Sequence, residues 1–193
     1  MIPDRTKLLL FPVFLLLAAG CMPSAEEKTR EVITRAMWES LTYPGTFIPV
    51  ESSTDSVWAP EYLPDAVDIR RTSILHRQEL DEIEKKLLAT EETMRLWRAT
   101  PSPKSTKKIQ EAVAFHDRIR TEYDSVKTLL DGENARLDSI GRIPRKFIGH
   151  LVDLRYVCVT EEKDTVFARE YLLLDSTKTA VIRQWKEKEF ARP

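Results

Sequence analysis

Leu80-Asp81-Glu82-Ile83-Glu84-Lys85-Lys86-Leu87-Leu88-Ala89-Thr90-Glu91-Glu92-Thr93-Met94-Arg95-Leu96-Trp97 is the stretch that decides the architecture. Within it Leu80, Ile83, Leu87, Thr90, Met94 and Trp97 recur at alternating intervals of three and four, the heptad seam of a helix that packs along another helix. The partner follows at once. After Pro101-Ser102-Pro103 the series Ile109, Ala112, His116, Ile119, Tyr123, Val126 and Leu130 keeps the same alternation, and Leu137 and Ile140 carry it past Gly132. A short proline-containing turn joins antiparallel neighbours, so 71–143 is expected to form a helical hairpin with Ser105 as the N-cap of its second helix. Arms of about 25 residues would reach roughly 38 Å at 1.5 Å per residue. The outer positions are crowded with Glu, Lys, Arg and Asp, as a solvated coiled-coil surface requires.

On the C-terminal side the period changes to two. From Lys146 onward Val152, Leu154, Tyr156 and Cys158 fall on one face and Asp153 and Arg155 on the other, the pattern of a half-buried strand. Val166 to Leu174 and Thr179 to Trp185 read as two more strands, separated by turns at 161–164 and 175–178. A three-stranded antiparallel meander is expected, and its apolar face needs a lid. On the N-terminal side Val32, Ile33, Ala36, Met37 and Leu41 line one face of a helix from about Ala25 to Leu41, which supplies that lid. Tyr43-Pro44-Gly45 stops it. Thr46 to Val50 and Ser56 to Trp58 read as two separate extended pieces, the first at a sheet edge because Pro49 has no N–H to give a ladder.

The fold class is therefore α+β: an N-terminal amphipathic helix packed on a C-terminal three-stranded antiparallel meander, with a long antiparallel coiled-coil hairpin between them. The expected division is a signal peptide over 1–20, a flexible lipidated tether over 21–28, an α+β domain from 29–70 and 144–187, and the hairpin insert over 71–143. The charged tail from Lys186 to Pro193 is expected to fray.

The address lies in the first residues. Arg5 and Lys7 precede an apolar run from Leu8 to Leu17, too short to cross a hydrocarbon core that needs about twenty helical residues. Leu17-Ala18-Ala19-Gly20-Cys21 resembles the bacterial lipobox, in which the cysteine sulfur receives a diacylglyceryl group, the signal is cut before it, and the new amino terminus is acylated, often with palmitate. Several acyl chains on Cys21 would hold the protein firmly, since each buried methylene contributes about 0.8 kcal/mol. Met22 is not the aspartate that retains many lipoproteins at an inner membrane, so an outer-membrane location is expected; Glu26-Glu27 leaves the choice between periplasmic and cell-surface faces open.

Tyr43-Pro44-Gly45-Thr46-Phe47-Ile48-Pro49-Val50, with Asp55-Ser56 after it and Lys146-Phe147-Ile148-Gly149-His150 opening the meander, resembles a group of small envelope lipoproteins common in Bacteroidetes. Those proteins share a tyrosine-proline motif after the first helix, a charged helical middle and a phenylalanine-isoleucine-glycine strand at the start of the last sheet. The resemblance implies an envelope lipoprotein. It brings no activity and no functional residues.

Composition and spacing exclude several classes. Removing 1–20 leaves 28 basic and 30 acidic side chains, with no excess of cations for nucleic acid. Five glycines include no phosphate-cradling loop. His76, His116 and His150 fall in three different elements without metal-ligand spacing, and His116 on the seam reads as a packed polar residue or register device. Glu26-Glu27, Glu91-Glu92 and Glu161-Glu162 read as solvated faces, because acid–base work needs carboxyls in a protected cleft. Cys158, between two valines, reads as a buried inert thiol. No catalytic residue, metal or cofactor is therefore expected, and the chain reads as a non-enzymatic interaction or scaffold lipoprotein, bound to the membrane through Cys21 and to another envelope protein through the hairpin. The alternative is a glycan or small-molecule binding module with Trp58, Tyr62 or Trp185 as stacking platforms. An enzyme would need a cleft where His76 or His150 meets a carboxylate.

Overall fold

The computed structural model describes residues 24–193. The expected signal peptide over 1–20, the lipobox-like run and Cys21 lie outside the described residues. The chain divides into one unit made of residues up to 55 with 149–184 and a second made of 56–148 with 185–193.

The first helix, α1, spans Ala25–Ser40. Ser24 caps it reciprocally: its hydroxyl accepts from the Glu27 N–H at 3.1 Å, and the Glu27 carboxylate accepts from the Ser24 N–H at 2.6 Å. The helix starts at Ala25, as the apolar spacing from Val32 to Leu41 leads one to expect, because the capping box satisfies backbone donors that a free tether would leave to water; residues 25–28 of the expected 21–28 tether therefore form its first turn. After a single 3-10 turn at Pro44–Thr46 comes β1, Ile48–Ala59. The remaining strands are β2 at Lys146–Val159, β3 at Thr165–Leu174 and β4 at Val181–Lys186, and they form one antiparallel sheet in the order β1-β2-β3-β4.

The sheet therefore has four strands and not three. The two extended pieces near Thr46–Val50 and Ser56–Trp58 are parts of one strand, β1, whose residues 48–56 are exposed on both faces. A strand exposed on both faces has no apolar alternation to announce it. Its place at the edge agrees with the proline at position 49.

The expected lid is in place. In the first unit Met37 of α1 is fully buried with Val152, Leu154, Tyr156 and Cys158 of β2 and Leu172 and Leu174 of β3. Val32, Ile33 and Ala36 pack around this core. The β2–β3 register sets Leu154 opposite Glu170 and Tyr156 opposite Ala168, so the inward face of β3 carries a carboxylate among aliphatic neighbours. Gly149 enters this sheet at φ +155°, where a Cβ would fall on the Leu174 carbonyl oxygen. Only glycine fits there.

The second unit holds the hairpin. Helix α2 runs Pro64–Ala99 and α3 runs Pro103–Gly141, an antiparallel pair. At 1.5 Å per residue they are about 54 and 58 Å long, well beyond the expected 38 Å. The pair starts at Pro64 and not at 71, because proline at the first helical position lacks a donor the helix could not satisfy anyway, and Ala66, Val67 and Ile69 give the added turns a buried side. Leu80, Ile83, Leu87, Ile119, Val126 and Leu130 form the seam core with Tyr123 packed against them.

The cap of α3 is Ser102, and Ser105 sits three residues into the helix. Pro103 decides this, since its fixed φ suits the first helical position. The Ser105 N–H donates to the Ser102 hydroxyl at 3.0 Å while the Ser102 N–H donates to Ser105 Oγ at 2.6 Å.

The tail is held. Glu187–Glu189 form a 3-10 turn, the Phe190 ring lies 5.4 Å from that of Trp185, and the Ala191 carbonyl accepts from Arg70 Nη1 at 2.9 Å. Two apolar residues among the charges anchor what composition alone marks as frayed.

Candidate functional site

Helix α1 and strand β1 enclose a cleft of about 680 Å³. Arg30, Ile33 and Thr34 face it from α1, three positions that one helical face brings together. Residues 49–52 and Thr54 of β1 form the opposite wall. Phe47 and Leu154 give the cleft its apolar lining, and the Phe47 ring is fixed against Tyr156 at 5.4 Å.

Lys178 reaches the cleft from the turn between β3 and β4. That turn is locked by Asp175, whose carboxylate accepts from the backbone N–H of Thr179 at 2.6 Å and of Ala180 at 3.0 Å, and from the Thr177 hydroxyl. The Thr177 hydroxyl and these N–H donors hold the Asp175 carboxyl far below the usual range against a smaller opposing effect of burial. The charged groups of the cleft are unequal. Glu51 is paired with Arg155 at 3.0 Å, whereas Arg30 and Lys178 make no ion pair among the described residues.

Beneath α1 lies a buried polar network. Glu170 is 4% exposed, and its carboxylate accepts from the Tyr156 hydroxyl at 2.6 Å and from the Gln184 side-chain amide. Gln184 also donates to Ser40 Oγ at 3.2 Å, which ties β4 to the end of α1. Burial, and then the hydrogen bond to Glu170, push the Tyr156 phenol far above its ordinary value, so it acts as a fixed proton donor. Burial and the Glu170 charge likewise push the Cys158 thiol up. The thiolate that nucleophilic chemistry needs is disfavoured, in line with the expectation of an inert thiol.

The hairpin contains the histidine–carboxylate meeting that an enzyme would need. His76 Nδ1 lies 3.0 Å from Glu133 Oε2. Burial pushes the Glu133 carboxyl up, but the polar side chains of Thr72, His76 and Ser73 around it outweigh that and leave the carboxyl below its ordinary value. The pair bridges α2 and α3 in the interhelical seam, and the Ser73 hydroxyl is spent on the Ile69 carbonyl at 2.9 Å. A cross-helix lock is what these groups can do there. His116 sits between Glu91 at 3.5 Å and Asp117 at 3.7 Å, a packed polar seam residue. His150 lies in β2, with its pKa lowered by burial and by Lys178. Among the described residues no three His, Cys, Asp or Glu side chains group as a metal ion would require.

The three aromatic platforms differ in fate. Trp185 is core, its indole N–H donating to Asp68 Oδ1 at 2.8 Å. Tyr62 is half-buried. Trp58 stays exposed beside Phe147, with the Arg145 guanidinium 5.5 Å from its ring centre. The three therefore do not make a common stacking surface in the second unit.

Glu133, Glu170, Arg30 and Lys178 were not singled out in the sequence. Two had a signal. Glu133 continues the seam alternation seven residues after Val126, and Glu170 continues the inward alternation from Ala168 to Leu172. Arg30 and Lys178 are ordinary surface cations until the fold places both at one cleft. No family model, curated protein or solved structure matches the chain.

Proposed function

We propose that this chain is a lipid-anchored envelope protein that works by binding another protein through its helical hairpin and performs no catalysis. The observation that carries this reading is the exposure of large apolar side chains off the seam: Leu88 at 65%, Leu96 at 60%, Leu129 at 56% and Phe115 at 49%. Single exposed apolar residues are ordinary, but periodic ones are informative. Phe115 and Leu129 stand two heptads apart and share a stripe of α3; Ile74 and Leu88 do the same on α2. The helices already bury a seam core of Leu80, Ile83 and Leu87 against Ile119, Val126 and Leu130, while the seam position Trp97 is itself 39% exposed, so these outer apolar positions are left for a partner.

The anchor reading rests on the lipobox-like run before Cys21. Because α1 is capped at Ser24, only three peptide steps separate the cap from that cysteine, about 10 Å at full extension. A lipid on Cys21 would hold the start of α1 at the bilayer surface. The outer membrane is the proposed location.

The test is site-specific photo-crosslinking in intact cells. A photoreactive residue at Leu96 or Leu129 is expected to give a discrete adduct with an envelope protein, and one at the exposed Lys127, turned about 200° from Leu129 on α3, is not. Equal, diffuse labelling from all three positions would remove the hairpin as the binding surface.

A further inference from the structure

The open edge of β1 and the cleft beside it form a second surface, independent of the hairpin and of the anchor. We infer that this surface binds an extended segment of another protein, which adds to the sheet as a strand along residues 50–55, places an apolar side chain in the cleft, and sets an acidic group against Arg30 and Lys178.

Three observations carry it. First, β1 has β2 as its one sheet neighbour, and among the described residues no turn, cap or side chain hydrogen-bonds to the outward backbone of 50–55. An edge strand left in this state is a template for one more strand, and an extended backbone is what matches its row of donors and acceptors. Second, the cleft runs beside this same stretch, with α1 as its far wall. A strand added to the edge sends alternate side chains to one face, and Ile33, Phe47 and Leu154 give those side chains an apolar bed. A space of about 680 Å³ is of the size that takes several side chains.

Third, the charges select. With Glu51 neutralised by Arg155, the cleft keeps Arg30 and Lys178 against Glu26, a positive balance that favours a carboxylate on the incoming segment. A second copy of this strand is a poor occupant. Two β1 strands side by side would bring Glu51 and Asp55 of each into one ladder, and Pro49 offers no N–H for pairing.

The experiment uses the full chain in detergent and a fluorescent octapeptide that alternates threonine and valine and ends in two glutamates, read by anisotropy. Two further peptides carry backbone N-methyl groups on alternate residues, one in each register, and a fourth ends in lysines. Saturable binding of the parent peptide is expected. N-methylation in the register facing β1 should weaken it by about tenfold while the other register is tolerated, from the loss of two ladder hydrogen bonds. The lysine-ended peptide should bind more weakly to the natural protein and more tightly to Arg30→Glu, a surface substitution whose fold is checked by circular dichroism. Absence of saturable binding, equal binding of both N-methylated registers, or tighter binding of the lysine-ended peptide to the natural protein would overturn the inference. Neither the anchor nor the hairpin enters this measurement, so its failure leaves the crosslinking result standing.

Discussion

Replacing Tyr156 by phenylalanine removes one oxygen from a 2.6 Å hydrogen bond to a carboxylate that is 4% exposed. The ring stays, with its contact to Phe47, so packing is conserved. The loss falls on Glu170, which keeps Gln184 as its remaining donor in a place water does not reach. A hydrogen bond to a charged group contributes about 1.5–3 kcal/mol, and Tyr156→Phe is expected to lower stability by that amount at pH 7. This is a large share of the roughly 5–15 kcal/mol that holds a domain together.

The same substitution has a signature in pH. The folded protein raises the phenol above its unfolded value of about 10, so the neutral form is favoured by folding and the contribution is fully present below that pH. Above it the unfolded chain releases the proton and the folded one retains it. Stability then falls with a slope of about 1.4 kcal/mol per pH unit, one proton's worth. Urea unfolding followed by circular dichroism from pH 7 to 11 measures both effects. Other tyrosines and the lysines cancel in the difference between the natural protein and Tyr156→Phe, which should shrink as the pH rises above 10. A difference below about 0.5 kcal/mol at pH 7, or one that stays constant to pH 11, would refute the claim that the Tyr156 hydroxyl is buried and bonded to Glu170.

Other expectations follow from the same structure. Met37→Ala empties a fully buried position between α1 and the sheet and should cost about 2–5 kcal/mol in urea unfolding. Ser102→Ala removes the reciprocal cap of α3 and should cost about 1 kcal/mol, while Ser105→Ala, which leaves the Ser102 hydroxyl in place, should cost less. Cys158 should resist alkylation in the folded protein and react on unfolding in urea, read by mass spectrometry; rapid labelling of the native state would contradict its burial.

The parts of the fold that were legible are those where burial leaves a period. The seam from Leu80 to Met94 and its partner from Ile109 to Leu130 each bury one narrow stripe, and Val152 to Cys158 alternate cleanly because one face of β2 is covered by α1. β1 was hidden for the opposite reason. With residues 48–56 exposed on both faces, a single strand looks like two short pieces around a polar loop. The length of the hairpin was hidden by Pro64, which marks a break in a polar stretch but starts a helix when apolar residues follow it. The cleft was illegible for a different reason. Arg30, Phe47, Leu154 and Lys178 come from separate elements, and their meeting is a property of how α1 lies on the sheet. Glu170 and Glu133 lie on the same inward periods as the aliphatic residues around them, and an acidic residue at such a position signals a buried polar contact.

The central claim is that this molecule acts from a lipid anchor, and the peptide from Cys21 to Lys28 reports on it most directly. After expression with its native leader, detergent extraction and trypsin digestion, mass spectrometry should find this peptide beginning at Cys21 and carrying diacylglycerol on the sulfur. The same peptide with a free thiol, or a chain cut at any other residue, would contradict the account.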